Sequence, residues 1–170
     1  MLAYAGGDAA ALAELYRRFS DGLYRYFLRC TDSPDQAADC LQDVFVSLAR
    51  QRASYRASGV FRHWLFRIAH NRAVTLIRRH RPEDSLESVE SRLPASPDDP
   101  AALAESADQT RLLWVALRQL SEEQRQVVLL RWEGELPLEQ IAAIQGIGYE
   151  AAKSRYRYAI AKLKSVLAHE

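Results

Sequence analysis

Nine arginines, three histidines and no acidic residue occupy the 33 positions from Arg50 to Pro82. That composition can hold a polyanion. Within the stretch, Trp64, Arg67, Asn71, Thr75 and Arg78 recur at helical spacing and, at about 100° per residue, fall within an arc of about 80°. A guanidinium group neutralises phosphate, an indole gives an unpaired base a surface to stack on, and a carboxamide hydrogen-bonds a base edge. One face carrying all three suits single-stranded or melted DNA better than closed duplex. A merely solvated helix would mix both signs of charge in i,i+4 pairs; the missing carboxylates favour nucleic-acid contact over that bland role.

The helix that must present this face is predicted over Phe61–Arg79, with Phe61, Leu65, Ile68, Ala69 and Leu76 on its apolar side and Arg72 among them. Upstream, Asp8 is suited to cap a helix over Ala9–Phe19. Ser20-Asp21-Gly22 is expected to break or bend it before a second run carrying Leu23, Tyr26, Phe27 and Cys30. Ser33 is a natural N-cap with Pro34 at the first helical position. The helix it opens, to about Gln51, places Ala37, Leu41, Val44, Phe45 and Leu48 inward. Asp35, Asp39 and Asp43 repeat along another face beside Gln42. Helix-dipole preference accounts for the first carboxylates but not for one two turns in, so this acidic face is read as a docking surface for a basic protein partner.

Residues 83–108 are acidic, contain Pro94, Pro97 and Pro100, and lack bulky apolar periodicity; they read as a flexible linker. Helical spacing resumes at Thr110–Leu120, and Ser121-Glu122-Glu123-Gln124 has the capping-box pattern. Pro137 opens a short helix with Leu138, Ile141, Ala142 and Ile144. Gly146-Ile147-Gly148 forms a tight turn into a final helix from about Tyr149 to Leu167. That is the outline of a helix-turn-helix. Tyr149, Ala152, Tyr156, Ala159, Leu163 and Leu167 are its expected buried stripe, leaving Lys153, Ser154, Arg157, Tyr158 and Lys164 to reach DNA. The expected architecture is all-α, with two small helical domains (1–82 and 109–170) joined by the linker.

The net charge of +1 conceals this segregation: −3 over residues 1–49, +9 over 50–82, −7 over 83–110 and +2 over 111–170. No apolar run approaches the roughly 18–20 residues of a membrane span, and the N-terminus lacks a basic region followed by an apolar block. No membrane insertion is expected, and a cytoplasmic location is. Cys30 and Cys40 form no metal-spaced cluster and read as buried, reduced thiols. His63, His70, His80 and the scattered acids show neither metal spacing nor a nucleophile–base pattern. No catalytic residue, metal or cofactor is expected.

Three groups of residues together resemble bacterial sigma factors of the extracytoplasmic-function type. They are Asp35-Gln-Ala-Ala-Asp39-Cys-Leu-Gln42-Asp43-Val-Phe45, then Phe61-Arg-His-Trp64-Leu-Phe-Arg67-Ile-Ala-His-Asn71, then Leu120-Ser-Glu-Glu-Gln-Arg followed by Ile141-Ala and Lys153-Ser154-Arg155. The resemblance implies that Asp39, Gln42, Asp43 and Phe45 bind the clamp helices of the largest subunit of core RNA polymerase. It implies that Tyr55, Arg56, Phe61, Trp64, Arg67 and Asn71, with Arg78 added from the helical face, open the −10 promoter element and hold its bases. Arg131, Lys153, Ser154, Arg157 and Tyr158 would then read the −35 element. An anti-sigma factor is a further implied partner. Ala38 departs from the family's usual acid, Glu150-Ala151-Ala152 from its usual Gly-Thr-Val, and Tyr158 and Ile160 from frequent arginines. The alternative function is a regulator that occupies core polymerase without supporting initiation, motivated by Glu150 and Ala151 in the recognition helix. A plain repressor leaves residues 1–82 unexplained.

Overall fold

The computed structural model describes residues 1–31, 33–53, 55–56, 60–79 and 111–168; the expected linker 83–108 lies outside them, as do His80, Arg81 and Pro82. Among the described residues the regular structure is helical: α1 (Leu2–Ala5), α2 (Ala10–Thr31), α3 (Pro34–Arg50), α4 (Phe61–Arg79), α5 (111–118), α6 (Glu122–Trp132), α7 (Leu138–Gln145) and α8 (Tyr149–Ala168). Helices α2, α3 and α4 pack on one another in the N-terminal half, and α6, α7 and α8 do so in the C-terminal half. The halves also touch, through α2 with α6 and α4 with α7. Their buried side chains form one continuous apolar cluster.

Local signals set most boundaries. Asp8 Oδ1 accepts from the Ala10 amide at 2.9 Å at the start of α2. Ser33 Oγ accepts from the Gln36 amide at 3.3 Å with Pro34 at the first helical position. Ser121 and Gln124 complete a reciprocal capping box, so two amides that the helix leaves unpaired are satisfied. Ser121→Ala should therefore lower stability by about 1 kcal/mol, read as an earlier midpoint in urea denaturation with an unchanged slope. Gly146 ends α7 in the left-handed conformation, φ 66°, which glycine adopts without the penalty a Cβ imposes.

The expected break at Ser20-Asp21-Gly22 does not occur. Helix α2 runs unbroken for 22 residues, with Ser20 and Leu23 buried. Packing against α3, α4 and α6 outweighs the weak local preference of serine and glycine to leave a helix. The expected stripe on α8 is also only partly buried. Ala152, Ala159 and Leu163 are inside, but Tyr149 and Leu167 are 42% and 43% exposed. They lie at the two ends of α8.

Candidate nucleic-acid and polymerase interfaces

Helix α4 spans Phe61–Arg79, as its spacing predicts. Leu65, Phe66, Ala69, His70 and Ala73 are buried against the N-terminal half and α6, while Arg67, Asn71, Thr75 and Arg78 are exposed and Trp64 is half-buried. Trp64 belongs to an aromatic cluster. Its ring lies 5.2 Å from Tyr55 at 72° and 5.7 Å from Phe61 at 35°. Phe61 in turn meets Tyr55 at 6.1 Å and Phe19 of α2 at 5.4 Å. Aromatic contacts of this kind contribute about 0.5–1.5 kcal/mol each beyond burial, so Trp64 is held in a set orientation. That is what a stacking platform requires.

Arg67 and Asn71 follow on the same exposed face, one and two turns beyond Trp64, and the Thr75 hydroxyl donates to the Asn71 carbonyl at 2.8 Å. Arg56 is exposed, its guanidinium 3.5 Å from the Tyr55 carbonyl. Arg78 stands apart, about 21 Å along the helix axis from Trp64 at about 1.5 Å per residue. It lines a cleft of about 340 Å³ between the halves, with His70, Glu122, Glu123, Gln126 and Arg155 among the other lining residues.

On α3, Asp39 and Gln42 are exposed. Asp43 is not equally available, because its carboxylate is paired with Arg72 of α4. Phe45 is half-buried against Tyr16 of α2, centroids 4.9 Å apart. The structure adds two residues that the spacing argument passed over: Tyr16 and Val46 are 50% and 39% exposed. Val46 follows Gln42 by four residues and Asp39 by seven, so it falls on the face that carries them. An apolar residue at that register was the legible signal for it.

In the C-terminal half, Lys153, Arg157 and Tyr158 are exposed on α8 and Ser154 is half-buried. The Arg157 guanidinium sits 5.2 Å from the Tyr158 ring centre, so the two side chains present a joint cationic and aromatic surface. Lys153 Nζ lies 3.7 Å from the Glu150 carboxylate, which partly offsets its charge. Arg131 is on α6, exposed, and donates to the Leu136 carbonyl at 2.9 Å. It therefore fixes the loop between α6 and α7. Arg155 donates to Gln145 Oε1 at 3.4 Å across the helix-turn-helix.

Where the halves meet, Tyr26 of α2 donates through its hydroxyl to Gln126 Oε1 of α6. His70 Nδ1 of α4 lies 3.3 Å from the same oxygen and 3.4 Å from the Tyr26 hydroxyl. Gln126 Nε2 completes the group by donating to Cys30 Sγ at 3.4 Å. Burial pushes the Cys30 thiol up to about 12, and Cys40 is buried too; both behave as small apolar groups. Burial lowers the His70 pKa, opposed by the hydrogen bond that His70 Nδ1 donates to Gln126 Oε1. The unfolded chain then binds a proton at this residue more readily than the folded one. Its contribution to stability is complete above the unfolded value near 6.5 and is lost as pH falls below it. Thermal midpoints should drop from pH 7.5 to pH 5.5, with a shallower drop in His70→Gln. His63, whose pKa burial also lowers, contributes to the slope that remains.

Among the described residues no group of three or more His, Cys, Asp or Glu side chains is placed to hold a metal ion. No helix there is long and apolar enough to cross a membrane. Sigma-70 region 2 matches residues 15–83 and Sigma-70 region 4 matches residues 116–165. The RNA polymerase sigma factor CarQ of Myxococcus xanthus is 32% identical over 164 residues, covering 95% of this chain and 91% of CarQ. The ECF RNA polymerase sigma factor RpoE of Cereibacter sphaeroides is 29% identical over 161 residues, covering 92% and 86%. CnrH, solved in complex with the cytosolic domain of CnrY, superposes with a TM-score of 0.71 at 25% identity, over 98% of this chain and 93% of CnrH. With both regions present in order and relatives matched over more than nine-tenths of its length, the chain belongs to the extracytoplasmic-function sigma factors, a family of transcription factors, and acts in transcription initiation.

Proposed function

We propose that the exposed faces described above divide the work of promoter recognition among them. Residues 1–82 bind core RNA polymerase through Asp39, Gln42, Asp43 and Phe45, with Tyr16 and Val46 extending that surface. The same half holds the melted −10 element on Tyr55, Arg56, Phe61, Trp64, Arg67 and Asn71, with Arg78 meeting backbone phosphate further along α4. Residues 109–170 read the −35 element as duplex through Lys153, Ser154, Arg157 and Tyr158, and Arg131 braces the entry to that motif. The single observation that carries this reading is Trp64. Its ring is held by Tyr55 and Phe61 on a helix without a carboxylate, beside exposed Arg67 and Asn71. A preset aromatic ring next to cations and an amide is the chemistry of an unpaired base on a charged strand.

Two finer features belong to the same reading. CnrH was solved with CnrY, and a protein that blocks these faces is the expected regulatory partner here as well. The site of action is the cytoplasm, where the polymerase works. Run-off transcription on fragmented genomic DNA, with core polymerase and with or without this protein, tests the whole. New transcript 5′ ends sharing two spaced upstream motifs are expected. Their absence, with the protein demonstrably on core, would instead assign it to occupying the polymerase without initiating.

A further inference from the structure

The joint between the halves contains residues that make little sense unless it closes. Glu133 caps the C-terminus of α6, the negative end of a helix dipole, where a carboxylate is disfavoured. Yet its side chain is only 6% exposed. Arg25 Nε of α2 donates to Glu133 Oε2 at 2.8 Å, and Arg29 of α2 donates to Glu133 Oε1. Two cations one turn apart on α2 thus grip a single carboxylate of the other half.

Two glycines flank this grip. Gly22 sits inside α2, where glycine costs about 1 kcal/mol relative to alanine. A Cβ there would lie 3.2 Å from the Glu133 carbonyl oxygen, so any side chain would force the backbone of the second half back by a few tenths of an ångström. Gly134 is equally constrained: a Cβ would lie 2.5 Å from the Leu130 carbonyl and 3.2 Å from the Phe66 ring of α4. Beside them Arg62 of α4 pairs with Glu135 and approaches the Gly134 carbonyl at 3.4 Å. Beneath lies the buried Tyr26, Gln126 and His70 group.

The closed arrangement is too small for the job assigned above. A folded chain of this length has a radius of gyration of about 15 Å. Elements named for positions −35 and −10 are about 25 base pairs apart, or about 85 Å along duplex DNA at about 3.4 Å per pair. One compact body cannot reach both. Resting on the promoter reading of the preceding subsection, we propose that the free chain is latched shut by Glu133 held between Arg25 and Arg29, with Gly22 admitting the Glu133 backbone, and that this joint opens before the two promoter elements are engaged together. An ion pair with the desolvation costs of burial adds little net stability while strongly penalising the loss of one partner. Such a joint specifies the closed form yet leaves it reversible.

Small-angle scattering on the full free chain tests the latch. The wild type should scatter as a compact particle. Glu133→Lys, which sets three cations together, and Gly22→Leu, a good helix former that wedges the contact, should each raise the radius of gyration by about half as the halves separate. Helicity by circular dichroism should be retained in both. Combining Arg25→Glu and Arg29→Glu with Glu133→Lys restores opposite charges and should restore compactness, which a general folding defect would not do. A wild-type chain that is already extended, or two variants as compact as the wild type, overturns the latch. The measurement includes neither polymerase nor DNA, so its failure would leave the promoter reading standing. Absent run-off transcripts alongside the expected scattering would count against that reading alone.

Discussion

Phe66→Ala should lower the unfolding free energy by about 3–5 kcal/mol, the largest effect of any single substitution considered for this chain. Phe66 is 1% exposed, meets the Tyr26 ring edge-to-face at 5.9 Å and lies under the loop at Gly134. Truncation removes the transfer energy of the ring, its contact with Tyr26 and the floor on which the second half rests. A backbone this well packed relaxes little into the void. For a chain of this size each kcal/mol moves the thermal midpoint by about 2–4 °C, so a fall of about 6–20 °C is expected by calorimetry. Phe66→Leu, which keeps most of the volume, should recover the greater part. A drop of only a degree or two would mean that Phe66 does not carry this part of the core.

Trp64→Ala should cost the second largest effect, in function rather than folding. Stacking of one base on an aromatic side chain contributes about 1–3 kcal/mol by alanine substitution, so affinity for single-stranded −10 DNA should fall about 5- to 150-fold. Trp64 is only half-buried, and Phe61 still packs on Phe19 without it, so the midpoint of unfolding should move far less than in Phe66→Ala. Trp64→Phe retains a π-face and should recover part of the affinity, while Arg67→Ala should act mainly by flattening the salt dependence. The measurement is fluorescence anisotropy of a labelled single strand bound to the holoenzyme. Equal affinity of Trp64→Ala and wild type would remove the stacking platform from the account.

The sequence was most informative where local chemistry decides structure. Ser33-Pro34, the Ser121 capping box and the Gly146 turn act over three or four residues, and each stands where its pattern places it. The face holding Trp64, Arg67, Asn71, Thr75 and Arg78 was legible because helical periodicity and a missing charge type are properties of one short window. What lay hidden depends on partners far away in the chain. Gly22 reads as a helix breaker until the Glu133 carbonyl is seen against it. Arg72 is an anomaly on an apolar face until Asp43, 29 positions earlier, supplies its counter-ion. Gln126 and His70 are ordinary polar residues in any window and become a buried group only when α2, α4 and α6 converge. Tyr149 and Leu167 fit the period of α8, and periodicity carries no information on where the neighbouring helices stop.

The ion pairs across α4 have a consequence for how DNA binding responds to salt. Nine arginines between Arg50 and Pro82 would, if all met phosphate, release enough counterions to give a slope of about −6 in a plot of log affinity against log salt for a single strand. Arg72 already answers to Asp43 and Arg62 to Glu135, so the electric field a strand encounters is weaker than the count of arginines implies. If Asp43 is drawn away to the polymerase, Arg72 loses its counter-ion and that field strengthens. The affinity of this helix for DNA is then an adjustable quantity, set by what its neighbouring carboxylates are doing.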